Sequence, residues 1–336
     1  MNQRDVAKLA GVSSATVSRV INKDQSVLDK TFNRVTEVIN NYGYVQNAVA
    51  RNLRISKTKT IGYLVPDIGN PFFPAVLGGI EVACHKKDYD IIFENTDENK
   101  AKEKKAIDTL LRYRVDGIIA IFVDGDNEDI KRIRKMGIPM VHIDRKSEVA
   151  KDFDYVGIDN IGGMKQIVDY LSSLGHKKIA IIYGPENITP GYERLKGFKE
   201  AMKQAKLTVN EEYMVNGSFT EEGSYKCVGK LLSMKDTPTA IITANNLMSI
   251  GAYKALVDLK IDIPNEISLV GFDDFDFAAY LIPPITVINR PTWEMGKVGA
   301  ELLLEKIENG SEEKAVKKII MATNLCIRNS CAKISN

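Results

Sequence analysis

Cysteine and histidine are scarce in this sequence, and the usual signatures of catalysis are missing. Four cysteines (Cys84, Cys227, Cys326, Cys331) are scattered through 336 residues without a CxxC pair. That spacing argues against a thiolate metal site or a disulfide framework and fits a reducing compartment. They read as small buried hydrophobes. The three histidines (His85, His142, His176) show no HExxH or other metal spacing. There is no GxSxG elbow, no phosphate-cradling GxxxxGKS or GxxxxGKT loop and no GxGxxG fingerprint, and the pair Gly162–Gly163 is wrongly spaced for a nucleotide. His176, in LGHKKIA, reads as a capping or packing residue. The expectation is a protein that is not an enzyme, with no metal and no cofactor. No apolar run approaches the roughly 20 residues of a membrane helix. MNQRDVAKLAG lacks the apolar core of a secretion signal. The expected location is therefore the cytoplasm, away from any membrane.

What is present is ordinary for a globular chain: 44% hydrophobic and 27% charged residues, enough for two or three domains. The net charge of +2 conceals a split. Residues 1–60 carry ten Lys/Arg against four acids, so the head is +6 and the rest is −4. A small basic head on a mildly acidic body points to a polyanionic partner.

Residues 5–42 read as three short helices. DVAKLA (5–10) stops at Gly11, a favourable residue just past a helix end. Ser13 stands where an N-cap belongs, ahead of SATVSRVI. Phe32, Val35, Val38 and Ile39 share one face of a third helix near 30–41. NAVARNLR (47–54) has the length of one more short helix. From Thr60 the rhythm changes to strand–helix alternation. Strands are expected at 61–67, 90–95, 116–122, 139–144, near 156–159, 178–184, 212–217, 239–245, 267–274 and 285–290, with a tail strand near 319–327. Helices are expected at 72–88, 99–113, 127–136, 161–174, 192–206, 221–234, 247–259 and 294–308. Such alternation makes parallel sheets covered on both faces. Eleven strands are many for one sheet, so the fold class is α/β with two doubly wound lobes behind a helical head.

The segment DVAKLAGVSSATVSRVIN (5–22) carries the strongest signal. Val6, Ala7, Ala10, Val12, Val17, Val20 and Ile21 form the apolar faces of two helices meeting at a tight glycine turn. Ser14, Ala15, Ser18, Arg19 and Asn22 are left facing outward. Small polar residues let a helix lie deep in a major groove, where an arginine donates two hydrogen bonds to a guanine edge. A second set of residues falls at strand ends, where open α/β sheets bind ligands. VPDIGNPFFP supplies Asn70, Phe72 and Phe73. Asp144, Arg145, Asp159, Asn245 and Asp273 close later strands, and Arg194 and Phe219 lie in the second half. Aromatic rings stack on sugar faces while Asp, Asn and Arg pair with hydroxyls, so this mixture suits a sugar.

Both sets of motifs resemble the LacI/GalR family of transcriptional regulators, over the whole chain. The resemblance implies a helix-turn-helix domain over 1–46, a hinge helix and linker over 47–59, and a ligand-binding and dimerisation domain over 60–336. The first lobe would span about 60–159 and 291–321, the second about 160–290 and 322–336. It puts Ser14, Ala15 and Arg19 at base-reading positions, and Thr16, Ser18 and Asn22 near phosphates. NAVARNLR resembles a hinge helix that orders on operator DNA, with Leu53 wedged into the minor groove, Ala50 beside it and Arg54 flanking. Asn70, Phe72, Phe73, Asp144, Arg145, Arg194, Phe219, Asn245 and Asp273 resemble the pocket of ribose-binding proteins and ribose-type repressors. Two positions depart. Arg290 stands where those pockets usually place a glutamine, which favours an anionic effector unless it pairs with Asp273 or Asp144. Asn246 stands where the family commonly has aspartate, to no evident end. The implied protein is a homodimer on a palindromic operator, released by a sugar, with ribose or another pentose ahead of a phosphorylated or acidic sugar. Relatives that use a corepressor or a phosphorylated carrier protein give a version of opposite sign. A sugar-transport protein fits the body but not the basic head. The tail after Ile327 has no leucine heptads, which argues against a coiled-coil tetramer.

Overall fold

The computed structural model describes residues 1–44, 57–123, 127–147, 149–310 and 315–334. Contacts concentrate within two units, Met1–Thr58 and Lys59–Asn336.

The first unit packs α1 (Gln3–Ala10), α2 (Ser14–Ile21) and α3 (Asp29–Asn41) around Val6, Ala7, Ala10, Val17, Val20 and Val35. Helix α1 begins earlier than the apolar pattern indicates, because Asn2 caps it. The Asn2 side chain accepts from the Arg4 and Asp5 amides, and the Asp5 carboxylate accepts the Asn2 amide in return. Gly11, at φ 61°, closes α1 in the left-handed conformation that a glycine adopts without strain. Two residues later the Ser13 hydroxyl accepts the Thr16 amide at 3.1 Å and starts α2. The tight turn and the two caps fix how α1 and α2 meet.

The second unit holds two six-stranded sheets. The first contains β1 (Thr60–Val65), β2 (Asp90–Asn95), β3 (Gly117–Ala120), β4 (Met140–Ile143), β5 (Asp154–Ile158) and β11 (Lys318–Met321), in the order β11-β5-β4-β3-β1-β2, all parallel. The second contains β6 (Ile179–Tyr183), β7 (Met214–Asn216), β8 (Ala240–Thr243), β9 (Ser268–Phe272), β10 (Thr286–Asn289) and β12 (Asn324–Cys326), in the order β12-β10-β9-β8-β6-β7. Only the β10–β12 pairing there is antiparallel. Central strands such as GIIA, AIIT and SLVGF are buried at every residue. That is why they read as continuous apolar runs and not as alternating ones.

Helices α4 (Phe72–His85), α5 (Lys100–Arg112), α6 (Asp129–Lys135) and α11 (Thr292–Asn309) accompany the first sheet. Helices α7 (Asn160–Ser173), α8 (Thr189–Gln204), α9 (Glu221–Leu232) and α10 (Asn246–Asp258) accompany the second. Segment 212–217 departs from the expected strand: Glu211–Tyr213 makes a short 3-10 turn before β7. The expected single tail strand divides in two, one piece in each sheet. Gln166 explains the division. Its amide nitrogen donates to the Thr323 carbonyl at 3.0 Å and its oxygen accepts the Leu325 amide at 3.1 Å, which holds the chain as it changes sheets. The chain thus passes between the sheets three times, after β5, after β10 and after β11. Arg290 sits in the second crossing.

Candidate functional site

In the first unit the exposed face of α2 is short and small. Ser14, Ala15, Arg19 and Asn22 are exposed, while Thr16 and Ser18 are partly so. Val17 and Val20 on the opposite face anchor the helix in the core. The Gln3 side chain donates to the Ser14 carbonyl at 3.0 Å, which ties the two helix N-termini together. Thr16 differs from its neighbours, because its hydroxyl lies 2.9 Å from that of Ser13 and belongs to the cap. Ala50, Leu53 and Arg54 lie outside the described residues.

In the second unit Asn70, Phe72, Phe73, Asp144, Arg145, Arg194, Phe219, Asn245, Asp273 and Arg290 all line one cavity of about 390 Å³. Both lobes wall it. Asn70 precedes α4, with its oxygen accepting the Phe72 amide at 3.0 Å, so the two phenylalanines enter at the first helical turn. Their rings meet edge to face at 4.9 Å. Asp144 and Asp273 follow β4 and β9 at φ 67° and 70°. Left-handed backbone at a non-glycine residue costs of order 1–3 kcal/mol and gathers at working sites. Asp159 is not on the cavity wall; it caps α7 through the Gly162 amide at 2.7 Å.

The charged groups form a connected set. Arg290 Nη1 donates to Asp144 at 2.7 Å, and Nη2 donates to Asp273 at 3.0 Å. Its Nε lies 2.8 Å from the other Asp273 oxygen, and its plane stacks 3.6 Å from the Phe72 ring centre. Arg290 therefore pairs with both aspartates at once. Arg194 Nη1 donates to Asp273 at 3.2 Å and to the Ala244 carbonyl at 2.6 Å, Nε donates to Asn160 at 2.9 Å, and the group lies 3.9 Å from the Phe272 ring centre. Burial works against its positive charge and lowers its pKa, and Asp273 opposes that effect. Arg145 grips Glu98 with two bonds, at 2.9 and 2.5 Å, and donates to the Phe122 and Val123 carbonyls. Tyr63 and Tyr155 donate to the carbonyls of Phe73 and Asp144, so the buried phenols hold the backbone beneath the cavity. Burial, and then the Asp144 charge, pushes both phenols well above the ordinary tyrosine range.

Among the described residues, Arg290, Lys146 and Asn246 make contacts directly from lobe to lobe beside the cavity. Arg290 bridges Asp144 and Asp273. The Lys146 amide donates to the Thr189 hydroxyl at 2.7 Å, and its ammonium pairs with Glu193 at 2.5 Å. Asn246 Nδ2 donates to Asn70 Oδ1 at 2.8 Å. Among the described residues no cluster of His, Cys, Asp or Glu is arranged to hold a metal ion, and no helix is long and apolar enough to cross a membrane.

Comparison with known proteins decides the family. Residues 3–47 match the model for bacterial regulatory proteins of the lacI family, and residues 168–331 match a periplasmic binding protein-like domain. The HTH-type transcriptional repressor PurR of Photobacterium profundum is 35% identical over 97% of this chain and 97% of its own length. This chain belongs to the LacI family. The ribose operon repressor of Escherichia coli is 33% identical over 90% of this chain and 92% of its own. A solved LacI family transcriptional regulator from Enterococcus faecium, with bound ribose, aligns at a TM-score of 0.73 and 30% identity over 82% of this chain and 100% of that one. As a LacI-family protein the chain is a DNA-binding, ligand-responsive transcriptional regulator and not an enzyme.

Reasoning from strand ends missed part of the LacI-type cavity. Glu98 was visible only as one acid in the loop NTDENK, and its partner Arg145 lies 47 positions away. The apolar wall formed by Val123, Pro185, Ile188, Pro190 and Leu247 was missed too. The loop GPENITP after β6 signals some of it, through its two prolines.

Proposed function

We propose that this chain is a cytoplasmic, homodimeric repressor that a sugar-type effector releases from a palindromic operator. Two-fold symmetry of the protein matches two half-sites. In each half, Ser14, Ala15 and Arg19 read base edges, and Thr16, Ser18 and Asn22 contact the backbone. Ala50, Leu53 and Arg54 follow the minor groove at the operator centre.

The observation that carries the effector reading is the two-sided cavity. Phe72 and Asp144 come from one lobe, Arg194 and Asp273 from the other, and Arg290 from the crossing between them. A ligand bound there changes the contacts that set the lobes' separation. It shifts operator affinity by its preference for one separation, and operator DNA shifts effector affinity by the same factor. The names of the ribose operon repressor and of the ribose-bound regulator support a pentose-sized ligand.

The test is fluorescence anisotropy of the full chain on labelled DNA from upstream of its own gene, at one fixed salt concentration. D-ribose and D-ribose 5-phosphate are the titrants. Specific binding reversed by either compound is the expected result. A scrambled duplex bound equally well overturns the operator reading, and a compound that tightens binding overturns the sign.

A further inference from the structure

Among the contacts of Arg290, Lys146 and Asn246 that join the lobes, only that of Lys146 uses no residue of the cavity wall. Arg290, Asp144, Asp273 and Asn70 line the cavity; Lys146, Thr189 and Glu193 do not. Yet each of the last three is the chain neighbour of a residue that does. Lys146 follows Asp144 and Arg145 in the loop after β4. Thr189 precedes Pro190, and Glu193 precedes Arg194, in the first two turns of α8. A movement that parts Lys146 from α8 therefore parts the two walls of the cavity as well.

The ionic half of this contact is wired to the cavity. Glu193 Oε2 accepts from Asn160 Nδ2 at 2.9 Å, and Asn160 Oδ1 accepts from Arg194 Nε at 2.9 Å. Arg194 reaches Asp273, and Arg290 joins Asp273 to Asp144, two residues before Lys146. Polar contacts thus close a ring that passes through both lobes. Asn160, Arg194, Asp273, Arg290 and Asp144 are each at most 7% exposed. The side chains of Lys146 and Glu193 are 47% and 17% exposed. The ring meets solvent at this pair, and there dissolved ions screen it.

We infer that Lys146 and Glu193 are positioning residues, a salt-sensitive latch at the rim of the cleft that sets how readily the lobes close on an effector without touching it. The effector is the one proposed above; the latch itself depends only on the two lobes. The pair forms only where the loop after β4 lies beside α8, so it favours that arrangement over any wider one. An ion pair of this exposure shifts an equilibrium about two- to fivefold. The affinity of an uncharged sugar then depends on ionic strength, although the sugar has no charge to screen.

Hydrogen exchange tests the latch with no effector present. The Lys146 amide exchanges once its bond to Thr189 opens. Mass spectrometry of peptides spanning residues 140–147 follows it in the full chain. Glu193→Gln keeps an acceptor for Asn160 and removes the charge, and should speed this exchange about two- to fivefold. Raising sodium chloride from about 0.1 M to about 1 M cuts the screening length from about 10 Å to about 3 Å. That should speed exchange in the native protein and leave Glu193→Gln unchanged. Lys146→Arg, which keeps the charge, should keep the salt response. Equal exchange in native protein and Glu193→Gln at both salt concentrations overturns the latch. Faster exchange throughout the second sheet of Glu193→Gln also overturns it, since that is general loss of stability.

Calorimetry with D-ribose at the same two salt concentrations reads the consequence. Native affinity should weaken about two- to fivefold at high salt, and that of Glu193→Gln should stay level. A native affinity indifferent to salt overturns the control of effector binding. If D-ribose does not bind while exchange behaves as expected, the pentose reading falls and the latch stands.

Discussion

Asn246 donates a 2.8 Å hydrogen bond to Asn70, joining the first turn of α10 in one lobe to the loop before α4 in the other. Each amide is oriented by its own backbone. Asn70 Oδ1 also accepts the Phe72 amide, and Asn246 Oδ1 accepts the Leu247 amide. This gives a role to Asn246, the second of the two positions that the resemblance marks as departures. An aspartate at 246 would set a carboxylate oxygen against the Asn70 carbonyl oxygen. Asn246→Ala should cost about 1 kcal/mol and Asn246→Asp about 1–3 kcal/mol, since the latter leaves an unpaired buried acceptor. Thermal melting checks both, and a more stable Asp variant would refute the account.

On α2, Arg19 is exposed and its removal leaves the core valines untouched. Arg19→Ala should therefore fold normally. It should lose about 1–3 kcal/mol on the specific operator and much less on random DNA. The ratio of specific to scrambled affinity then falls about 5- to 150-fold. An unchanged ratio would remove Arg19 from base reading.

How much of this could be read in advance depended on distance along the chain. Strand positions were plain because GIIA or AIIT, buried on both faces, cannot be written with charged residues. The head was plain because Gly11 and Ser13 act on their immediate neighbours. Ten of the eleven residues singled out for the pocket share one cavity, because a parallel α/β sheet places the ends of its strands together; Asp159, the exception, is taken up by a helix cap. What stayed hidden was pairing at long range. Arg290 was seen as either an anion site or a partner of one aspartate; that it holds both requires the two lobes to be brought together. Glu98 with Arg145, and Asn246 with Asn70, carry no local signal. The splitting of the tail strand depends on Gln166, more than 150 residues earlier.

Two glycines separate packing from propensity. Gly296 in α11 crosses α4 so closely that an added Cβ would lie 1.9 Å from the Val76 carbonyl oxygen. Gly229, exposed in α9, has nothing within 4 Å of that position. Gly296→Ala should destabilise by about 1–3 kcal/mol or more through forced separation of the helices. Gly229→Ala should stabilise by about 0.5–1 kcal/mol by restricting the unfolded chain. Denaturant midpoints read both, and the same sign for the two would contradict the packing account.

His142 gives a pH dependence with a definite sign. It is buried beneath Arg145, with Nδ1 3.2 Å from the Arg145 carbonyl, and burial pushes its pKa down to about 4. Between that value and the ordinary 6.5 the unfolded chain binds the proton and the folded one does not. Stability from this residue is therefore complete above about 6.5 and declines as pH falls toward 4, by up to about 3 kcal/mol. His142→Gln should flatten the curve in that window. A slope unchanged in the variant would assign it to other groups.

Asp273 holds two guanidiniums, those of Arg194 and Arg290, in a site that is 4% exposed. Asp273→Ala leaves both buried charges short of a partner, at a cost of about 3–5 kcal/mol. Asp273→Asn keeps the shape and loses the charge, and should cost less. In either variant Arg290 loses the anchor that points it across the cleft, and the effector loses its preorganised donors. Effector-driven release of operator DNA should weaken at least tenfold, a change of about 1.4 kcal/mol or more. The first unit does not contain this residue and should still melt as native. A variant that folds, binds operator and is released at the native effector concentration would show that Asp273 only fills space.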